Sequence, residues 1–426
     1  MTSAAMGDPA TESLVVRSVE ITHPGSLVDL LPADDPVAWL RQGDGLVGWG
    51  VAAKASAVGA DRFHAVEQWW NRVVDHAVVR DEVGLPGSGL TAFGSFGFAD
   101  DTAAESVLVV PRVLVGARSD RGRQRAWVSV VGVDGIPNAP AIEPADSARP
   151  PTELRFSDGS LSGTEWVSAV QEAVTRIEAG QLEKVVLARD LLAQAAGPID
   201  ARWPLRRLAE AYPGCWTYHV DGLVGATPEL LVRRERGLVS SRVLAGTIRR
   251  TGDDQHDLAL AAALARSSKD LEEHEYAVRS VADGLATHCS TVFVPETPFV
   301  LHLPNVMHLA TDVTGVLDDD TGVLALAAAL HPSAAVGGTP SAAALGALAD
   351  LEQLDRDRYA APVGWMSADG DGEWGIALRC GLVAGDRVRL FAGCGIVAGS
   401  QAESELAEAQ AKFVPVRDAL GSDQVG

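Results

Sequence analysis

Cysteine is scarce: four residues in 426, Cys215, Cys289, Cys380 and Cys394, with no C-x-x-C pair among them. That spacing suggests neither a disulfide framework nor a thiolate zinc site, and it suits a reducing compartment. Positive charge is also short, with 35 Lys and Arg against 57 Asp and Glu and a formal net charge of -22. Such a surface argues against tracking a phosphate backbone or an anionic lipid. An anionic metabolite stays open, provided a few cations or a metal ion are gathered locally to hold it. No uninterrupted apolar run approaches the roughly 18 residues that span a bilayer, and MTSAAMGDPATES lacks the basic region and apolar core of an export signal. The expectation is a cytoplasmic protein without membrane or nucleic-acid partners. No internal repeat is visible.

What the chain has is apolar content, 47% of its residues, enough for one very large core or several ordinary ones. Residues 134–164 turn Pro-, Ala- and Ser-rich and read as a connector between an N-terminal portion, 1–133, and a C-terminal portion, 165–420. The first portion shows a helical stretch at Arg62 to Val79 and strands at Glu105 to Val115 and Arg125 to Val133. In the second, a helix at Thr164 to Ala179 leads to a strand at Lys184 to Leu192. Further strands are expected at Cys215 to Val220, Leu230 to Arg234, Leu238 to Leu244, Thr291 to Leu301, Val306 to Val316, Trp374 to Val383 and Arg387 to Ala392. Helices are expected at His256 to Arg266, Asp270 to His288, Leu324 to Leu330, Ala342 to Leu354 and Ser400 to Leu420. Several strands are joined by two to five polar or Gly residues, the spacing of antiparallel hairpins, so the pattern is α+β.

Two expected helices each carry acids at i, i+3: Asp270 with Glu273, and Glu405 with Glu408. Each pair shares a face. Facing one another, the four carboxylates would need a cation between them or protons shared among them, and oxygen-only ligands point to magnesium; facing water, they are ordinary acidic helix surfaces. Lys184 shares a strand face with Val186 and Ala188, where lost hydration would favour a general base, or it ends the strand with its amine in water. Glu229, after Thr227 and Pro228, is either a buried acid able to donate a proton or a turn residue. The turn around Gly393, Cys394 and Gly395 and the one at Gly337 to Pro340 let backbone N–H groups approach an anion. The former resembles a dinucleotide fingerprint one residue too long, and the chain ends too soon after it for a ribose-binding acid. Arg379 and Tyr359 suit carboxylate binding; Lys412, four residues after Glu408, also reads as a helix salt bridge, and His308 as a core histidine.

In order along the chain, EAGQLEKVVLARD, GATPELLVR, LAGTIRR, SSKDLEEHEYAVRSV, LPNVMHLATDVTG, HPSAAVGGTPSAAAL, DRYAAPVGW, GIALRC and FAGCGIVAGSQAESELAEAQAKF resemble the chorismate-utilising enzymes. The resemblance covers roughly Thr164 to Leu420; the N-terminal part joins it mainly through TAFGSFGFADD. It implies one chorismate-binding-type domain over 1–426, with two large antiparallel sheets packed as a sandwich, helices outside and a monomer as the default assembly. It also implies that Glu273 and Glu408 ligate magnesium, with Asp270 and Glu405 behind them holding metal-bound water. Tyr359, Arg379 and the Gly393 to Gly395 backbone would cradle the enolpyruvyl carboxylate, and Thr247, His308 and Lys412 would line the cleft. Lys184 would activate water and Glu229 protonate the departing hydroxyl. A lysine at 184 resembles members that use water rather than ammonia, and Ala335 resembles isochorismate rather than salicylate synthases. The implied reaction is magnesium-dependent isomerisation of chorismate to isochorismate, feeding menaquinone or siderophore synthesis. Salicylate synthase is the alternative enzyme, and a nucleotide-binding module without catalysis the alternative class.

Overall fold

The computed structural model describes residues 13–421 except 121, 134, 136 and 137. Met1 to Glu12, read above for an export signal, and three positions of the connector lie outside the described residues. Among the described residues no helix is long and apolar enough to cross a membrane.

The architecture grows from one long strand, Ser106–Asp120. Its second half forms a hairpin with Arg123–Val133, Val113 opposite Val130, while its first half pairs with Thr91–Ser95, Phe93 opposite Val109. Its other edge carries Asp44–Ala57, whose register shifts between Val51 and Ala53, where Pro111 faces Val51. Proline has no N–H to give the ladder, and a bulge absorbs the loss.

Two sheets leave this strand in different directions. One continues through Asp44–Ala57, Val37–Arg41, Trp216–Val220, Leu223–Thr227, Cys380–Ala384 and Arg387–Ile396 to Lys184–Gln194. The other runs through Thr91–Ser95, Pro362–Ser367, Gly372–Ile376, Leu230–Glu235 and Leu238–Arg249 to Val306–Leu317. The expected pair of antiparallel sheets is therefore present, but they share a strand and form one hydrogen-bonded network, of 21 strands among the described residues. The pairing of Leu14–Ile21 with Val78–Asp81 is parallel. Between the sheets lies a common core to which Trp39 and Tyr218 contribute from one side, and Phe93, Val363 and Trp374 from the other. Indole N–H groups of Trp39 and Trp216 both donate to Glu373 of the opposite sheet, at 2.8 and 3.0 Å.

Helices cover the outside. Gly163–Glu178 begins with a capping box between Ser162 and Glu165 and buries Trp166, Val170, Ala173 and Ile177, one stripe at helical spacing. Trp166 reaches the strand beneath it, donating to the Ala188 carbonyl at 3.0 Å.

Several expected boundaries need correction. The helix from Arg62 stops at His76, and Val78–Asp81 is strand. The Thr291 to Leu301 run is two strands, Cys289–Phe293 and Phe299–His302, split where Pro295 and Pro298 remove ladder donors. Trp374 to Val383 is likewise two, Gly372–Ile376 and Cys380–Ala384, belonging to different sheets. The connector contains a strand, Arg155–Asp158, paired with the Lys184–Gln194 edge, and the helix Arg202–Ala211 was not expected.

Candidate active site

Two chain crossings between the sheets build the site. Leu223–Thr227 lies in one sheet and Leu230–Glu235 in the other, so Pro228 and Glu229 span the gap; Ala377 to Arg379 makes the reverse crossing. The crossings are tied together: Ala226 N–H donates to the Arg379 carbonyl and Ile376 N–H to the Glu229 carbonyl, both at 3.2 Å. Arg379 takes a left-handed conformation, φ 49°, which turns the chain sharply. An acid and a guanidinium thus enter the same gap from neighbouring turns.

They line a small cavity of about 50 Å³. Of the residues singled out in the sequence, Glu229, Thr247, Glu273, His308, Ala335, Tyr359, Arg379, Gly393, Gly395 and Lys412 all line it. Lys184, Asp270, Glu405 and Glu408 are not in its wall. Lys184 lies just behind, wholly buried, with its amine 3.3 Å from the Glu273 carboxylate. Asp270 packs with its Cβ against Gly246, beside Thr247. A larger groove of about 1020 Å³, between the Arg62–His76 helix and the Ser341–Leu351 helix, holds none of these residues.

Strand register explains the close approach. Gly395 faces Val186 and Gly393 faces Ala188, so both glycines share the sheet face of Lys184. A Cβ on Gly395 would stand 2.0 Å from Glu273 Oε1 and 3.1 Å from Lys184 Cε; one on Gly393 would stand 3.1 Å from the Tyr359 hydroxyl. Only glycine leaves room for these groups. Cys394 alternates to the other face, where its thiol donates to the Glu405 carbonyl at 3.3 Å.

The electrostatics sort the groups by role. Burial pushes Glu229 up to about 7 from the ordinary 4.5, against the pull of the Leu244 N–H and the charges of Lys184, Arg379 and Lys412. It can therefore be a protonated donor near neutrality. Burial raises the Tyr359 phenol to about 12, so it stays a donor. Burial and the adjacent Arg379 hold His308 well below the usual histidine range. Its neutral ring accepts from Arg379 Nη2 at 3.0 Å through Nε2, which leaves Nδ1 to donate to Thr247 Oγ1 at 3.1 Å. Thr247 in turn helps to hold Glu408 low. Hydrogen bonds link the guanidinium through His308 to Thr247.

Glu408 is pushed up by burial, but Lys412, 2.6 Å away, prevails and holds it below its usual range. Lys412 also donates to the Gly393 carbonyl at 2.8 Å. Burial and the charge of Glu408 raise Glu405. Carboxylate oxygens of Glu405 and Glu408 and the sulfur of Cys394 all lie within 4.8 Å of one another. Burial holds the Cys394 thiol well above its ordinary value, so it remains protonated and is a poor ligand. The remaining donors are carboxylate oxygens, which suit a hard divalent cation such as magnesium better than zinc.

Two features escaped the sequence reading. Lys269 pairs with Glu405 at 2.7 Å, and a buried pair, Glu352 with Arg356, anchors the strand of Lys184. The i, i+4 spacing of Glu352 and Arg356 was a signal; nothing local linked Lys269 to a residue 136 positions away.

The chain is 35% identical to the Bacillus subtilis isochorismate synthase MenF over 62% of its own length and 57% of the length of MenF. It is 32% identical to the Pseudomonas aeruginosa salicylate biosynthesis isochorismate synthase, over 88% of this chain and 82% of that protein. Among solved structures, DhbC of Bacillus anthracis superposes with a TM-score of 0.77 at 31% identity, covering 93% of this chain and 98% of that one. The family description "chorismate binding enzyme" matches residues 37–421, and with the sheet crossings, cavity and strand register described above, the chain belongs to the chorismate binding enzymes.

Proposed function

We propose that the chain is an isochorismate synthase, using magnesium to convert chorismate reversibly to isochorismate. The observation that carries this reading is one cavity lined by a buried carboxyl, Glu229, together with Arg379 and Tyr359, with the wholly buried amine of Lys184 directly behind its wall residue Glu273. Relatives named as isochorismate synthases support it.

Arg379 and Tyr359 grip the enolpyruvyl carboxylate and orient the ring, with His308 and Thr247 fixing the guanidinium. Glu273 and Glu408, backed by Asp270 and Glu405, would hold magnesium, which supplies positive charge for the ring carboxylate. Lys184 takes a proton from water as its oxygen bonds to the ring carbon beside the carboxylate-bearing one. The ring double bonds shift, the C–O bond of the existing hydroxyl breaks, and Glu229 protonates it to leave as water. One water enters and one departs, so the reaction is an isomerisation.

The test is chromatography of the products formed from chorismate by the wild type, with magnesium and with EDTA, and by Lys184→Ala. Isochorismate is expected from the magnesium reaction alone. Salicylate with pyruvate would replace the reading by salicylate synthase. Isochorismate formed undiminished in EDTA would reject the metal, and wild-type turnover by Lys184→Ala would reject the base.

A further inference from the structure

Three of the four acids proposed above to hold magnesium are matched one to one by lysines. Glu273 pairs with Lys184 at 3.3 Å, Glu408 with Lys412 at 2.6 Å and Glu405 with Lys269 at 2.7 Å. Lys184 and Lys412 already have work at the cavity; Lys269 has none there. It sits at i, i-4 from Glu273 on the Ser268–Ala286 helix, sharing its face. Besides Glu405, the carboxylates of Glu273 and Glu408 also act on its ammonium. Lys269 thus contacts Glu405 and feels the charge of the other two acids.

Exposure separates the three lysines. The side chain of Lys184 is wholly buried and that of Lys412 is 10% exposed, whereas that of Lys269 is 35% exposed. Only Lys269 can release its acid and pass its charge to water with little desolvation cost. Glu405 has no such freedom: its side chain is 3% exposed, and a buried carboxylate left without a cation is strongly destabilising.

From this asymmetry we infer that Lys269 is an exchangeable counter-ion, a positioning residue that neutralises the acid cluster when metal is absent and yields it to magnesium. The inference rests on the magnesium reading above. It makes the metal-free protein stable at the expense of metal affinity, because the incoming ion must displace a charge already in place.

The test is calorimetric titration of wild type, Lys269→Met, Lys269→Gln and Lys269→Arg with magnesium chloride at fixed ionic strength, with melting curves of each. Both neutral variants should bind magnesium roughly fivefold more tightly, because the incoming ion no longer has to break the Lys269–Glu405 pair, an interaction of the size of a partly exposed salt bridge. They should melt lower than wild type without metal and level with it at saturating magnesium. Lys269→Arg should bind as wild type does. Neutral variants that bind no tighter, or that stay less stable when loaded, would show Lys269 to be a permanent anchor and overturn the inference. Absence of magnesium binding by the wild type would instead overturn the metal reading itself.

Discussion

Glu229 shows how much one side chain's surroundings decide. A carboxyl held at about 7 by burial remains a donor through neutrality and loses that ability above it. The value of kcat/KM should therefore decline as pH rises past about 7. Glu229→Gln, which keeps the shape but has no proton to release, should lose about 10²- to 10⁴-fold in turnover. The same group also affects stability. Between pH 4.5 and about 7 the folded state keeps a proton that the unfolded chain has released, so stability falls across that window as pH rises. Gln removes this penalty, and urea melts at pH 8 should find Glu229→Gln more stable by up to about 3 kcal/mol. Equal pH dependence of stability in both proteins would mean that the carboxyl is not held in its protonated form. Lys184 and Glu229 were visible in the sequence because each opens an apolar strand, where a charged residue is unusual. Lys269 was not, since a lysine beside an aspartate on an acidic helix reads as a solvated surface, and its partner Glu405 belongs to another helix.

The strand Lys184–Gln194 carries its catalytic candidate at its first residue, so its position must be imposed from outside. Arg356 and Glu352, 3% and 4% exposed at the side chain, impose it. Arg356 donates to the Val186 carbonyl at 2.5 Å and to the Val336 carbonyl at 2.8 Å, and Glu352 accepts from Ala188 N–H at 2.6 Å. The clamp therefore fastens the Lys184 strand to the loop holding Ala335. Arg356→Met strands a buried carboxylate and should cost about 3–5 kcal/mol, while Arg356→Met with Glu352→Met should recover much of that loss. A double variant no more stable than the single one, measured by chemical denaturation, would contradict the clamp. Strong periodicity made most C-terminal elements legible within a few residues: Val306–Leu317 was expected to Val316, and Ser268–Ala286 from Asp270. The merging of two strands in the Trp374 to Val383 run has a physical cause. A short crossing such as Ala377 to Arg379 leaves the apolar pattern unbroken, and hydropathy alone does not reveal a change of sheet.

At the scale of the whole molecule, the active site exists because the two sheets are separate enough to leave a gap and joined enough to hold it. The sandwich followed from resemblance; that Ser106–Asp120 serves both sheets did not, because a fifteen-residue strand looks the same whether it has one set of partners or two. The N-terminal portion also supplies Val37–Arg41 to the Trp216–Val220 strand and Thr91–Ser95 to the Pro362–Ser367 strand, in the interior of each sheet. A fragment beginning after the connector would expose both interior strand edges and half of the shared core. The connector itself is mostly exposed between Asn138 and Pro150. Cleavage there breaks the chain but none of these pairings. Limited proteolysis should accordingly give two fragments that co-elute on gel filtration and keep the proposed activity on chorismate, while residues 165–426 expressed alone should be insoluble. Separation of the nicked fragments under native conditions would mean that the sheets are held together by the covalent link rather than by their common strand and core.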